Sequence, residues 1–228
     1  MEIKVDTKIA ALFGASGLVG RACLNYLLAS NAYSKVKIFV RTPLDIAHEK
    51  LVQYVTNFDA LNEMGSQLSC DDVFVTLGTT IKKAGSRKNF IKVDFTYVYT
   101  IAKLTLKLGA SQFVVVSSVG ASESSNIFYL QVKGIMETKV RSLPFWAIHI
   151  FRPSFLLGER VESRLGENVA KKLGHGINYL TGGLLKKYRP VESDEVARGM
   201  VYVAQRLKEG VFIYYSDDIP QMHISVAL

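Results

Sequence analysis

One segment near the start of the chain constrains the fold more than any other. An apolar run at 8–13 (KIAALF) meets a turn with glycines at 14, 17 and 20 (GASGLVG), then a helical pattern to about residue 29. The same strand-then-helix rhythm repeats downstream. Apolar runs at 35–40 (KVKIFV), 72–77 (DVFVTL), 113–117 (FVVVS), 146–151 (WAIHIF) and 211–215 (VFIYY) read as strands, with a weaker one at 52–57. Longer stretches at 90–108, 128–141 and 193–208 read as helices. Runs that are apolar throughout, rather than alternating, indicate strands covered on both faces. Parallel neighbours need crossover connections, and the intervening helices supply them. The fold expected is α/β: a doubly wound, mainly parallel sheet flanked by helices, as a single domain over 1–228.

Composition narrows the function classes. At 49% hydrophobic and 21% charged, the 228 residues form a core rather than a disordered chain. Cys23 and Cys70 stand outside any CxxC or metal-spaced cluster, which points to a reducing compartment and a cytoplasmic location. No apolar stretch approaches the roughly 18 residues of a membrane span. The stretch 9–28 faintly resembles a signal segment, but glycines, Arg21 and Asn25 interrupt it, so it reads as mature protein. His48, His149, His175 and His223 show no ligand spacing, so no metal site is expected. Trp146 reads as a core residue.

The formal charge of +8 comes largely from two clusters. Lys82, Lys83, Arg87, Lys88 and Lys92 form one, with no acid between Val73 and Val93; Arg160, Arg164, Lys171, Lys172, Lys186, Lys187 and Arg189 form the other. Basic surfaces attract phosphate on a polynucleotide, a lipid surface or a dinucleotide alike. No zinc finger, RNP motif, KH loop or basic zipper accompanies the charge, which disfavours nucleic acid as the partner. Peripheral contact with a membrane surface and the oligomeric state stay open.

The glycine turn carries more. A strand before it and a helix after it place the N–H groups of residues 15–19 at a positive helix end, where a pyrophosphate is stabilised. Gly14 permits the tight turn, Gly17 the approach of phosphate, and Gly20 the packing of helix on sheet. A site for NAD places an acid at the end of the second strand; from Val36 to Leu44 there is none. Arg41 stands there instead, able to clamp a 2′-phosphate, with Thr42 as an added hydroxyl contact. The cofactor expected is therefore NADP(H). Gly78, after Leu77, lets backbone lie against the adenosine or ribose; the lysine-rich segment that follows can face cofactor phosphates or an acidic substrate.

A Tyr-x-x-x-Lys pair on one helix puts a phenol and an ammonium on one face, and the ammonium favours the phenolate. That makes the phenol a usable acid or base for carbonyl–alcohol chemistry. Three such pairs occur: Tyr33/Lys37, Tyr99/Lys103 and Tyr129/Lys133. The first straddles a loop and the second strand. The second lies on a long helix as a packing face. Only the third follows a strand ending in Ser117-Ser118, at the carboxyl edge where such sheets bind ligands.

GASGLVG, Ser117-Ser118, Tyr129-Leu-Gln-Val-Lys133 and Phe151-Arg152-Pro153 together resemble the short-chain dehydrogenase/reductase superfamily. The wording LGTT, SSNIFYLQVKG, FRPSFLLGER and ESRLGE resembles its atypical branch that includes the TIP30/CC3 oxidoreductase-like proteins. The resemblance implies a Rossmann sheet with a small substrate cover from about 158 to 190. It implies that Ser16, Gly17, Leu18 and Val19 line the pyrophosphate, that Arg41 holds the 2′-phosphate, and that Leu77 and Gly78 lie on the adenosine side. Tyr129 would be the proton donor, Lys133 would tune it and bind the nicotinamide ribose, and Ser118, with Ser117 a weaker choice, would hydrogen-bond the substrate oxygen. Leu156 and Arg164 would approach the nicotinamide half. Some relatives carry two consecutive basic residues at the second strand's end, whereas Arg41 is followed here by Thr42. The function implied is an NADP(H)-dependent oxidoreductase acting on a small carbonyl or alcohol. The alternative is an NADPH-binding regulator or scaffold with little turnover.

Overall fold

The computed structural model describes residues 8–157 and 188–222. Seven strands form one parallel sheet: β1 (Lys8–Phe13), β2 (Tyr33–Val40), β3 (Leu51–Val55), β4 (Asp72–Val75), β5 (Gln112–Val116), β6 (Ala147–Arg152) and β9 (Gly210–Tyr215). Their order across the sheet is β3-β2-β1-β4-β5-β6-β9, so the direction of winding reverses between β1 and β4. Ligands of open parallel sheets bind beyond the strands' carboxyl ends at that reversal. A two-residue pair, β7 (Leu156–Leu157) with β8 (Val191–Glu192), lies apart from the main sheet. The cover expected at about 158–190 falls mostly outside the described residues.

Central strands are buried along their length, as their unbroken apolar runs predict; the edge strands β3 and β9 are only half-buried. One face of the sheet packs α1 (Leu18–Ala29) and the late helix α6 (Ser193–Ala204) over Ala10, Leu12, Ile38 and Phe74. The other packs α4 (Tyr97–Lys107) and α5 (Phe128–Arg141) over Ala11, Phe13, Val73, Val75 and Phe113. Successive strand residues point to opposite faces, so each strand feeds both cores.

One expectation is refined and one changes. The helix expected over 90–108 is present as a continuous run of α3 (Arg87–Ile91), a π-helical turn (Lys92–Thr96) and α4, and a separate short helix, α2 (Ile81–Ala84), precedes it. Thr80 and Ser86 start the two short helices by accepting N–H bonds from Lys83 and Asn89. Trp146 is 37% exposed rather than core. It precedes β6, where its carbonyl accepts from Gly210 N–H, and its ring falls outside the buried run that begins at Ala147.

Candidate active site

The glycine turn is built by close backbone approach. Gly14 has φ +98°, a left-handed conformation that favours glycine. A Cβ on Gly20 would sit 2.0 Å from the Gly14 carbonyl oxygen, so the first turn of α1 presses directly on the end of β1. Thr76, just past β4, closes the arrangement by donating to the carbonyls of Phe13 and Gly14 at 3.2 and 3.1 Å. Helix α1 starts at Gly17 with no side-chain cap and no acid in its first turn. The N–H groups of Leu18, Val19 and Gly20 therefore have no intrahelical partner and meet no competing negative charge. A cradle this tight, with its donors left open, fits the pyrophosphate of a dinucleotide.

Arg41 follows the last residue of β2, is exposed, and makes no ion pair among the described residues. Thr42 beside it is exposed as well. Leu77 and Gly78 extend from β4 at the reversal point, with Leu77 packed on the core below. Leu156 lies in the small β7–β8 pair, and Arg164 lies outside the described residues.

The three Tyr/Lys pairs separate clearly. Tyr33 donates to Asp72 and Lys37 to the carbonyls of Gln67 and Ser69, so both polar ends are engaged away from the carboxyl edge. Lys103 sits over the Tyr99 ring at 4.8 Å on the outside of α4, a cation–π contact. Tyr129 stands at the start of α5, 8% exposed, with its ring edge against Phe90 at 5.7 Å. Its hydroxyl has no hydrogen-bond partner among the described residues, yet it is not among the sealed polar atoms.

Lys133, one turn further on the same helix, is 1% exposed, and its Nζ lies 2.9 Å from Oδ1 of Asp94, itself fully buried in the π-helical turn. The second Asp94 oxygen accepts from the Thr79 N–H at 2.9 Å. Lys133 also approaches the Val116 carbonyl at the end of β5, at 3.4 Å. Asp94 thus ties the Tyr129 helix to the loop after β4, three residues from the threonine that braces the glycine turn. Asp94 and Thr76 were not singled out from sequence. The signal for Asp94 was its place as the first acid after a long acid-free stretch, between the apolar Val93 and Phe95.

The two strand-end serines also part. Ser117 is buried and donates to Glu137, whose carboxylate is held by the guanidinium of Arg152. Arg152 in turn donates to the Tyr215 hydroxyl at 3.0 Å. Ser117 thereby belongs to a structural network. Ser118 donates its O–H only to the Val119 carbonyl, at a long 3.4 Å, a bond weak enough to be exchanged for a better acceptor.

Residues 14–143 match the NAD(P)H-binding protein family, over half of the chain. A rat relative, protein HTATIP2, is 40% identical over 175 residues, covering 75% of this chain and 72% of its own. The chain belongs to this family. It is an atypical short-chain dehydrogenase/reductase of the HTATIP2-like kind. The mitochondrial protein FMP52 of Candida albicans is 33% identical over 226 residues, covering 92% of this chain and 96% of its own. Among solved structures, MoeE5 in complex with UDP-glucuronic acid and NAD aligns with a TM-score of 0.68 at 15% identity, over 91% of this chain and 76% of that one. The human epimerase family protein SDR39U1 with NADPH gives 0.61 at 17%, over 93% and 77%. At such identities these two establish the fold alone, and it is the oxidoreductase-type NAD(P)-binding fold. One expectation is overturned. Several fungal relatives of near full coverage are named mitochondrial proteins, which contradicts a cytoplasmic location; two buried, unpaired cysteines do not separate one reducing compartment from another.

Proposed function

We propose that this chain is an NADP(H)-dependent oxidoreductase of mitochondria that interconverts a small carbonyl compound and its alcohol. The observation that carries this reading is the Lys133–Asp94–Thr79 link, which holds the Tyr129 helix beside the loop leading back to the glycine turn. A bound nicotinamide would supply the hydride chemistry at the carbonyl carbon, and the chain's own residues would handle the proton. Tyr129 gives its phenolic proton to the substrate oxygen in reduction and takes it back in oxidation. Ser118 donates a hydrogen bond to the same oxygen and orients it. Lys133, ion-paired with Asp94 and donating to the Val116 carbonyl, would turn a remaining N–H toward the nicotinamide ribose. The N–H groups at the start of α1 hold the pyrophosphate, with Ser16 and Gly17 at its edge, and Arg41 with Thr42 receives the 2′-phosphate.

The test is Tyr129→Phe, which removes one oxygen from a ring packed on Phe90. Turnover is expected to fall by roughly a thousandfold, within the range that general acid catalysis contributes, while the NADPH dissociation constant stays within a few-fold. An active Phe variant rejects the role.

A second reading has an observation in its favour. Lys133 is 1% exposed and its ammonium is already engaged by Asp94 and the Val116 carbonyl, which limits what it offers to a reacting group. That suits a protein that binds NADPH as a regulator with little turnover. Failure to consume bound NADPH across a wide carbonyl panel, together with a cofactor-dependent protein complex, would select this reading.

A further inference from the structure

We infer that the substrate of this site carries an anionic group, a carboxylate or a phosphate, received by the basic segment 82–88. The inference rests on the oxidoreductase reading above and names its substrate class. The segment spans α2 and the start of α3, immediately after the loop that Asp94 holds. It is fastened to the Tyr129 helix by aromatic contacts. The Arg87 guanidinium lies 5.0 Å from the Phe128 ring centroid, and Phe90 packs against both Phe128 and Tyr129 at 5.6 and 5.7 Å. Ala84 joins the same cluster. The cations are therefore carried by the wall that holds the Tyr129 ring.

Three of these cations, Lys82, Arg87 and Lys88, meet no acid among the described residues. No acid occurs between Val73 and Val93, and the next one, Asp94, is buried against Lys133. Lys92 is paired with Asp59 and drops out. Lys82 and Lys88 are exposed and make no ion pair among the described residues; Arg87 has only its ring contact, which leaves guanidinium N–H groups available. Clustered cations beside a low-dielectric wall raise the local concentration of an anion and strengthen its binding.

Topology separates this segment from the cofactor phosphates. Those are met by α1 and Arg41, at the ends of β1 and β2. The basic segment follows β4 on the other side of the reversal, toward β5, and packs on α5 rather than α1. On the oxidoreductase reading the reacting carbonyl would sit at the Tyr129 hydroxyl. An anionic tail on the substrate then reaches the lysines from the far side of the reacting carbonyl.

The experiment uses the full chain with NADPH and two aldehydes of equal carbon number, succinic semialdehyde and butanal. The anionic aldehyde is expected to have a kcat/KM at least about tenfold higher at low salt, an advantage that shrinks as ionic strength rises. Lys82→Ala/Lys88→Ala is expected to raise KM for succinic semialdehyde about tenfold and to erase its advantage, with the NADPH dissociation constant within twofold. Equal kcat/KM for the two aldehydes, or an advantage that survives the double substitution, overturns the inference. So does loss of NADPH affinity in the variant, because the lysines then serve the cofactor. Should neither aldehyde be turned over, the oxidoreductase reading is judged on the wider carbonyl panel and the anion site by binding alone. Calorimetry of the NADPH-loaded protein with succinate and succinamide then decides the anion site: lysine-dependent binding of succinate alone supports it, and absence of that binding overturns it.

Discussion

The two ends of the same sheet differ in how completely their polar groups are satisfied. At the amino-terminal end, Asp72 is fully buried and accepts from Lys8, Tyr33 and Gln112 at 2.7 to 2.9 Å. Gln205 donates to the Tyr33 hydroxyl, and Gln112 to the last carbonyl of α6. Only Gln112 Oε1 in that knot is sealed without a partner. At the carboxyl end, satisfied links such as Lys133–Asp94 and Ser117–Glu137 stand beside groups with no partner among the described residues. These are the first N–H groups of α1, the Arg41 guanidinium and the Tyr129 hydroxyl, while Ser118 is held only by its long contact to Val119. Satisfied polar groups hold a structure; open ones cost stability unless a ligand completes them. The fold is fastened at one end and offers itself for binding at the other.

That contrast can be broken deliberately. The largest effect is expected at the open end from Gly20→Ala, whose Cβ would lie 2.0 Å from the Gly14 carbonyl oxygen. Titration should show NADPH affinity lowered by at least about a hundredfold, because α1 can no longer seat on β1 and aim its donors. Between the two ends, His149 lies buried on β6, stacked on Phe212, with Nδ1 3.0 Å from the Tyr214 hydroxyl. Burial lowers its pKa from 6.5 to about 4. The unfolded chain therefore binds the extra proton first, and stability falls as pH drops from 6.5 toward 4, by about 3 kcal/mol in all. Denaturant midpoints measured against pH should show that slope, and His149→Phe should remove it.

At the fastened end, Asp72→Ala leaves the Tyr33 and Gln112 donors buried without their acceptor. The expected cost is about 2 to 3 kcal/mol in chemical denaturation, with the NADPH dissociation constant unchanged. A shift in cofactor affinity from Asp72→Ala would break the separation of the two ends. The smallest effect sharpens the cofactor assignment. Arg41→Ala should weaken NADPH about tenfold, roughly 1.4 kcal/mol, and leave NADH untouched. Equal losses for both would remove the 2′-phosphate from the account.

Much of the architecture was legible because strands buried on both faces must be apolar throughout. The runs at 8–13 and 113–117 match β1 and β5 to within a residue or two, and the pattern at 128–141 matches α5. The glycine spacing was legible for a related reason: a left-handed Gly14 and a crowded Gly20 tolerate nothing larger. What stayed hidden depends on partners distant in the chain. Nothing local says that Asp94 reaches Lys133, that Thr76 braces Gly14, or that Ser117 is consumed by Glu137 while its neighbour Ser118 is only weakly held. The π-helical turn at 92–96 was hidden for the same cause. Its helical pattern is unbroken in sequence, and the turn's one buried acid, Asp94, pairs with a residue of another helix.

The central claim is that Tyr129 and the glycine turn serve one ligand. A crystal structure of the chain with NADPH tests it most directly. The expected result places the pyrophosphate on the N–H groups of residues 15–20 and the Tyr129 hydroxyl within about 5 Å of the nicotinamide C4, close enough for a carbonyl to bridge them. A nicotinamide ring directed away from α5, or a pyrophosphate bound anywhere but the start of α1, would contradict the account.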